Sequence, residues 1–175
     1  LIPDINAGCP LADTITSSDL RRMKNEHPDA LVVAYVNSSA DVKAEADYCC
    51  TSGNAVQLVN ALPKEREIIF VPDKYLGLYT SRKTGRNLIL SDGSCPFHTA
   101  ISTEDILRQK NMHPEAKVIV HPECRPEVIN LAEEADSTAG MCRYAMNSDA
   151  KEIIIGTEVD FLHRLKKDNP DKLFY

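Results

Sequence analysis

Nowhere in the 175 residues does an apolar run approach the roughly 18–20 positions that a bilayer-crossing helix needs, so no membrane partner is expected. A basic excess is also missing. Twenty Lys and Arg stand against 26 Asp and Glu, a formal charge of −6, and this leaves no electrostatic footprint for a nucleic-acid backbone. Six cysteines are present, but Cys49 and Cys50 are adjacent and the others are scattered through helical and strand patterns, unlike a secreted disulfide framework. The expectation is a reducing, cytoplasmic compartment in which Cys49, Cys50, Cys124 and Cys142 act as small buried hydrophobes. There is no start methionine and no signal-peptide pattern, and Leu1 and Tyr175 both lie in apolar runs, so the sequence reads as a piece of a longer protein.

What the sequence does contain is a duplication. Asn6-Ala7-Gly8-Cys9-Pro10-Leu11-Ala12-Asp13 returns as Asp92-Gly93-Ser94-Cys95-Pro96-Phe97-His98, with an offset of 86 residues between Cys9 and Cys95. The same offset lays Asp19 on Asp105, Arg22 on Arg108, His27-Pro28 on His113-Pro114, Tyr35 on His121, Asn37 on Glu123 and Ser52 on Thr138. A period of this size is a domain and not a solenoid unit. The chain therefore divides into repeat units 1–90 and 91–175.

Within each unit strands alternate with short helices. Thr16-Ser17-Ser18-Asp19 offers N-cap oxygens for a helix to about Asn25, which Pro28 stops. Leu31–Tyr35 and Ile68–Val71 are continuous β-rich apolar runs, as expected of strands buried on both faces. Leu1–Asp4 resembles a strand end, Tyr48–Thr51 a short strand, and Leu88–Leu90 closes the first unit. Helices are expected after Asn37-Ser38-Ser39, from Ser52-Gly53-Asn54 to about Leu62, and from Pro72-Asp73. The second unit repeats the order, with a helix from Thr103, strand 118–120, a helix from Pro126, a turn at Asp136-Ser137-Thr138 before a helix to Met146, and strand 153–155. A Gly156-Thr157-Glu158 turn, a helix to Asp168 and strand 173–175 complete it. Such alternation predicts an α/β fold of two repeated three-layer α/β/α units with parallel sheets.

Ligands of open parallel sheets bind beyond the carboxyl ends of the strands. Tyr35, Asn37, Ser52, Cys95, His98, His121, Glu123, Thr138 and Glu158 all fall at such ends, so one edge of each unit is expected to collect the chemistry. His27 and His113 each precede a proline at a helix end and read as structural caps or solvated residues. His163 sits in a charged helix and reads as surface.

Cys9 and Cys95 occupy equivalent loops, where a pseudo-rotation axis can bring them together as soft ligands for an iron–sulfur cluster or zinc. A redox dithiol or two inert thiols are the other readings of the pair. One more offset of 86 residues puts a third equivalent cysteine at position 181, six residues beyond Tyr175. Three cysteines around a three-fold axis suit a four-iron cluster. One iron then lacks a protein ligand and can act as a Lewis acid on a substrate carboxylate or hydroxyl.

Asn-Ala-Gly-Cys9-Pro-Leu-Ala-Asp, Ala34-Tyr35-Val36-Asn37-Ser38-Ser39, Val42–Asp47, Cys50-Thr51-Ser52, Asp92-Gly-Ser-Cys95-Pro-Phe-His98, His121-Pro122-Glu123-Cys124 and Gly156-Thr157-Glu158 together resemble the quinolinate synthase family along the whole chain. The resemblance implies three homologous α/β/α domains in a pseudo-three-fold arrangement around a [4Fe–4S] cluster, one cysteine per domain. It also implies condensation of iminoaspartate with dihydroxyacetone phosphate to quinolinate for NAD synthesis, with the enzyme that supplies iminoaspartate as a partner. On that resemblance Cys9 and Cys95 are two cluster ligands, and the third lies outside this chain. Tyr35, Asn37, Ser52, His98, His121 and Thr138 line the substrate, and Glu123 is the acid/base, with Tyr35 and His121 beside it in the chemistry. A further unit, holding phosphate contacts, is expected outside the sequence, and the piece alone is expected to be inactive. The other functions that the residues allow are a metal-free module binding a small carboxylate and a protein using a Cys9–Cys95 dithiol.

Overall fold

The computed structural model describes Asp4 and residues 7–175. The strand end expected over Leu1–Asp4 lies, apart from Asp4, outside the described residues, as does Asn6 of the first cysteine loop. Contacts divide the chain into two compact units, Leu1–Pro96 and Phe97–Tyr175.

In the first unit, helix α1 (Ser17–Glu26) starts on a capping box. Thr16 accepts from the Asp19 backbone N–H while the Asp19 carboxylate accepts from the Thr16 N–H, which satisfies two of the orphan donors of a helix start. The helix ends at His27, before Pro28, as the missing proline N–H requires. Strands β1 (Leu31–Tyr35), β2 (Tyr48–Cys50), β3 (Ile68–Val71) and β4 (Ile89–Leu90) form a parallel sheet in the order β2-β1-β3-β4. Val33, Tyr35, Ile68 and Phe70 pack on one side against Ala55 and Val59 of α3 (Ala55–Ala61) and Leu76 of α4 (Lys74–Thr84). Val32, Ala34, Ile69 and Val71 pack on the other against Leu20 of α1 and Val42 of α2 (Ala40–Ala44). Strands β1 and β3 are thus buried on both faces, and their apolar residues run on without polar alternation.

The second unit repeats this plan. Strands β5 (Lys117–Val120), β6 (Glu134–Ala135), β7 (Glu152–Gly156) and β8 (Leu173–Phe174) pair in parallel in the order β6-β5-β7-β8. Helix α6 (Thr103–Met112) opens on the matching capping box of Ser102 and Asp105 and ends at His113. Ile119 and Ile153 pack with Met141 and Ala145 of α8 (Thr138–Asn147), Leu165 of α9 (Phe161–Asp168) and Phe174. The repeat extends to individual bonds. The Asp47 carboxylate accepts from the Val32 N–H at 2.7 Å, and Glu133, 86 residues on, accepts from the Val118 N–H at 2.6 Å. Arg86 donates to the carbonyls of Val59, Leu62, Pro63 and Arg66 at the end of α3, and its counterpart Lys172 donates to those of Ala145 and Ser148 at the end of α8.

Several details depart from the expectation. Helix α5 (Pro96–Ala100) and strand β6 were not anticipated, because neither is long enough to carry a period. Helix α7 (Pro126–Ile129) is only four residues long. Cys50 and Cys124 are buried as expected and Cys142 is half-buried, whereas Cys49 is exposed, since β2 is an edge strand and only Cys50 turns into the core. His27 and His113 are the C-caps foreseen; His27 pairs with Glu67, and His113 with Glu152 while stacking on Tyr175. His163 is exposed.

Candidate functional site

All strands of each sheet are parallel, so their carboxyl ends share one edge, and the polar residues singled out from the sequence stand there. In the first unit Tyr35 ends β1, buried, and its hydroxyl accepts from the Asn37 side-chain amide at 3.3 Å. Ser52 lies half-buried in the turn between β2 and α3, two residues past Cys50, which pairs in register with Tyr35. Beyond β4 stands Cys95, buried, while Cys9 is exposed on its loop before a 3-10 turn at Ala12–Thr14. All six cysteines are in the reduced, thiol form.

The loop of Cys95 is tied to the sheet by Asp73. This fully buried carboxylate caps α4 through Oδ1, accepting from the Leu76 N–H at 2.7 Å, and accepts from the Cys95 N–H through Oδ2 at 3.0 Å. Gly93 makes the approach possible: a Cβ there would lie 2.2 Å from the Thr14 hydroxyl oxygen and 2.5 Å from the Pro72 carbonyl. From its place after Pro72, Asp73 is expected only to start a helix. Its second oxygen's partner is 22 residues away and leaves no local signal.

The second unit gathers a tighter group. Strand β5 delivers His121 at its carboxyl end, where the His121 N–H continues the ladder to the Gly156 carbonyl at 2.9 Å. A turn closed by the Cys124 N–H on the His121 carbonyl brings Glu123 back toward the imidazole. Helix α5 presents His98. His98 Nδ1 lies 3.0 Å from Glu123 Oε2, its Nε2 lies 2.9 Å from the Thr157 hydroxyl, and its ring stacks on His121 with centroids 4.3 Å apart and planes at 18°. His98 is 7% exposed, His121 4% and Glu123 1%. Thr157, just past β7, was not singled out from the sequence, which favoured its neighbour Glu158; Glu158 is exposed.

The Glu123 backbone N–H donates to His121 Nδ1 at 3.3 Å, so the proton of a neutral His121 belongs on Nε2. Neutrality follows from burial, which pushes the imidazole down to about 4 from 6.5; the His98 ring acts the same way, and the Glu123 and Asp136 carboxylates act against it. A group that is neutral when folded and protonates readily when unfolded favours the unfolded chain in acid. The stability it carries is complete above about pH 6.5 and is lost as pH falls from there toward 4, on the order of 3 kcal/mol in all. Urea midpoints measured between pH 4 and 7 should therefore fall with acid, and His121→Gln should flatten that part of the slope.

Thr138 is the first residue of α8 and is exposed; the cap of that helix is Ser137, whose hydroxyl accepts from the Gly140 N–H at 3.2 Å. The structure thus joins His98, His121 and Glu123, pairs Tyr35 with Asn37, and leaves Ser52 and Thr138 at the helix-side ends of their own strands. Buried carboxylate and imidazole in hydrogen-bond contact can pass a proton, and a neutral Nε2–H can donate to an anionic oxygen. Cys9 and Cys95 in one unit and His98 and Glu123 in the other carry donor atoms of the kinds that bind metals. Among the described residues no helix is long and apolar enough to cross a membrane.

The family described as quinolinate synthetase A protein, NadA, matches residues 1–175. Among curated proteins, quinolinate synthase of Methanosarcina barkeri (strain Fusaro / DSM 804) is 54% identical over 175 residues, 100% of this chain. That of Dehalococcoides mccartyi (strain CBDB1) is 52% identical over 174 residues, 99% of this chain. The chain spans 57% of the length of each of these two relatives. A match along every residue, with the repeated cysteine loops and the His121–Glu123 turn in place, shows that the chain belongs to the quinolinate synthetase A family.

Proposed function

We propose that the protein carrying this chain condenses iminoaspartate with dihydroxyacetone phosphate to quinolinate, releasing two waters and phosphate, as a cytoplasmic step toward NAD. Family membership supports the reaction, and the observation that carries the roles is the buried contact of Glu123 with His98 beside a neutral His121. Glu123 moves the protons of dehydration and ring closure, which a carboxylate does when its surroundings suit its pKa. His121 donates from Nε2 to an anionic oxygen of the substrate. Tyr35 and Asn37, joined by their side chains, contact the substrate, and Ser52 and Thr138 each offer a hydroxyl to one carboxylate.

Cys9 and Cys95 would hold a [4Fe–4S] cluster with a third cysteine from the rest of the protein. The donor set fits: both side chains are thiols on loops, and soft thiolates are the ligands that iron–sulfur clusters take. When bound, the cluster supplies a Lewis acid for a substrate carboxylate or hydroxyl. A further homologous unit brings the phosphate contacts. An enzyme making iminoaspartate is the partner, and the 175 residues alone are inactive.

The test is made on the full-length protein purified without oxygen. Four irons with matching sulfide, quinolinate formed from the two substrates, and iron lost in Cys9→Ser and in Cys95→Ser are the expected results. No iron and no quinolinate would leave a metal-free carboxylate-binding module. A disulfide between the two cysteines, with sulfurs about 2 Å apart, would favour the dithiol.

A further inference from the structure

The Glu123–His98 contact poses a question of orientation. Stacking on His121 sets the plane of the His98 ring but not which edge faces Glu123, because a half-turn about the Cβ–Cγ bond keeps the plane and exchanges nitrogen for carbon on both sides. Only polar partners in the plane can tell the two orientations apart. Glu123 Oε2 on Nδ1 and the Thr157 hydroxyl on Nε2 are such partners. We propose that Thr157 is a positioning residue for this site, its hydroxyl holding the His98 imidazole so that Nδ1–H is presented to the Glu123 carboxylate.

The backbone beneath Thr157 is built to keep that hydroxyl still. Gly156, the residue before it, pairs in register with Val120, and its carbonyl accepts from the His121 N–H. The strands approach so closely there that a Cβ on Gly156 would lie 2.5 Å from Val120 Cγ1. The Val120–Gly156 rung of the sheet therefore sets His121 just past β5 and Thr157 just past β7, and the two reach His98 from the ring face and from the ring edge. A β-branched side chain adds a stiff χ1 to this fixed backbone. Because the carboxylate accepts at Nδ1, the Thr157 hydroxyl donates to Nε2, which makes Nδ1–H the neutral tautomer of His98.

This role rests on the functional reading for its effect on turnover, but not for its geometry, so two readouts are needed. In histidine 15N spectra of the full-length protein, Thr157→Val should move the His98 Nε2 resonance toward that of an acceptor without a hydrogen bond. Thr157→Ser should leave it in place. In the condensation assay Thr157→Val should lower kcat about tenfold with little change in KM, and Thr157→Ser should recover most of the loss. An Nε2 resonance that is the same in Thr157→Val as in the unsubstituted protein overturns the proposal. So does a serine variant as impaired as the valine one. If the unsubstituted protein forms no quinolinate, the functional reading falls, and the spectra still decide the role of Thr157.

Discussion

Glu123→Gln should lower the turnover of the full-length protein by about 10²–10⁴-fold, the range that one general acid/base contributes. The substitution is nearly isosteric at a side chain only 1% exposed, so it removes the carboxylate without opening a cavity. Gln retains an oxygen that can accept from His98 Nδ1, which keeps the stack on His121 in place. KM should therefore change less than kcat, and the iron content should match that of the unsubstituted protein. Single-turnover kinetics beside an iron assay separate the outcomes. Turnover lost with iron retained places Glu123 in the proton transfers, whereas iron lost together with turnover gives it a structural role.

The largest expected effect on stability is at Asp73. Asp73→Ala removes the N-cap of α4 and strips the Cys95 N–H of its acceptor in one step, both in a fully buried setting. The lost cap and the buried donors left unsatisfied together cost about 3–5 kcal/mol, visible as a lower urea midpoint at unchanged slope. Asp73→Asn keeps one oxygen for Leu76 but turns an amide NH2 toward the Cys95 N–H, so an intermediate loss is expected. If Cys95 is a cluster ligand, both variants should also lose iron faster than the unsubstituted protein during oxygen-free dialysis. An alanine variant with full stability would mean that the loop is held by something other than this carboxylate.

Much of this molecule was legible because its signals are local. The N-cap oxygens at Thr16–Asp19, the His-Pro stops, and the unbroken apolar runs over 31–35 and 68–71 each announce an element from within a few residues. Parallel strands then follow from alternation, and the chemistry falls at the carboxyl edge because every strand of a parallel sheet points the same way. What was not legible are contacts that join distant positions. Asp73 reaches Cys95 across 22 residues, and His98 reaches Thr157 across 59. Cys49 and Cys50 are alike in sequence, and only the edge position of β2 separates the exposed thiol from the buried one.

By itself, then, the sequence determined the duplication, the fold class, the order of all elements but α5 and β6, the family, and the loops on which Cys9, Cys95, His121 and Glu123 sit, since periodicity, capping and motif spacing are properties of short stretches of chain. Tertiary structure alone decided that His98 stacks on His121, that Thr157 meets His98 Nε2, and that burial holds His121 neutral. Ring orientation and proton affinity depend on which groups surround a side chain and how much water is excluded, and those surroundings come into being only when strands far apart in the chain close into one sheet.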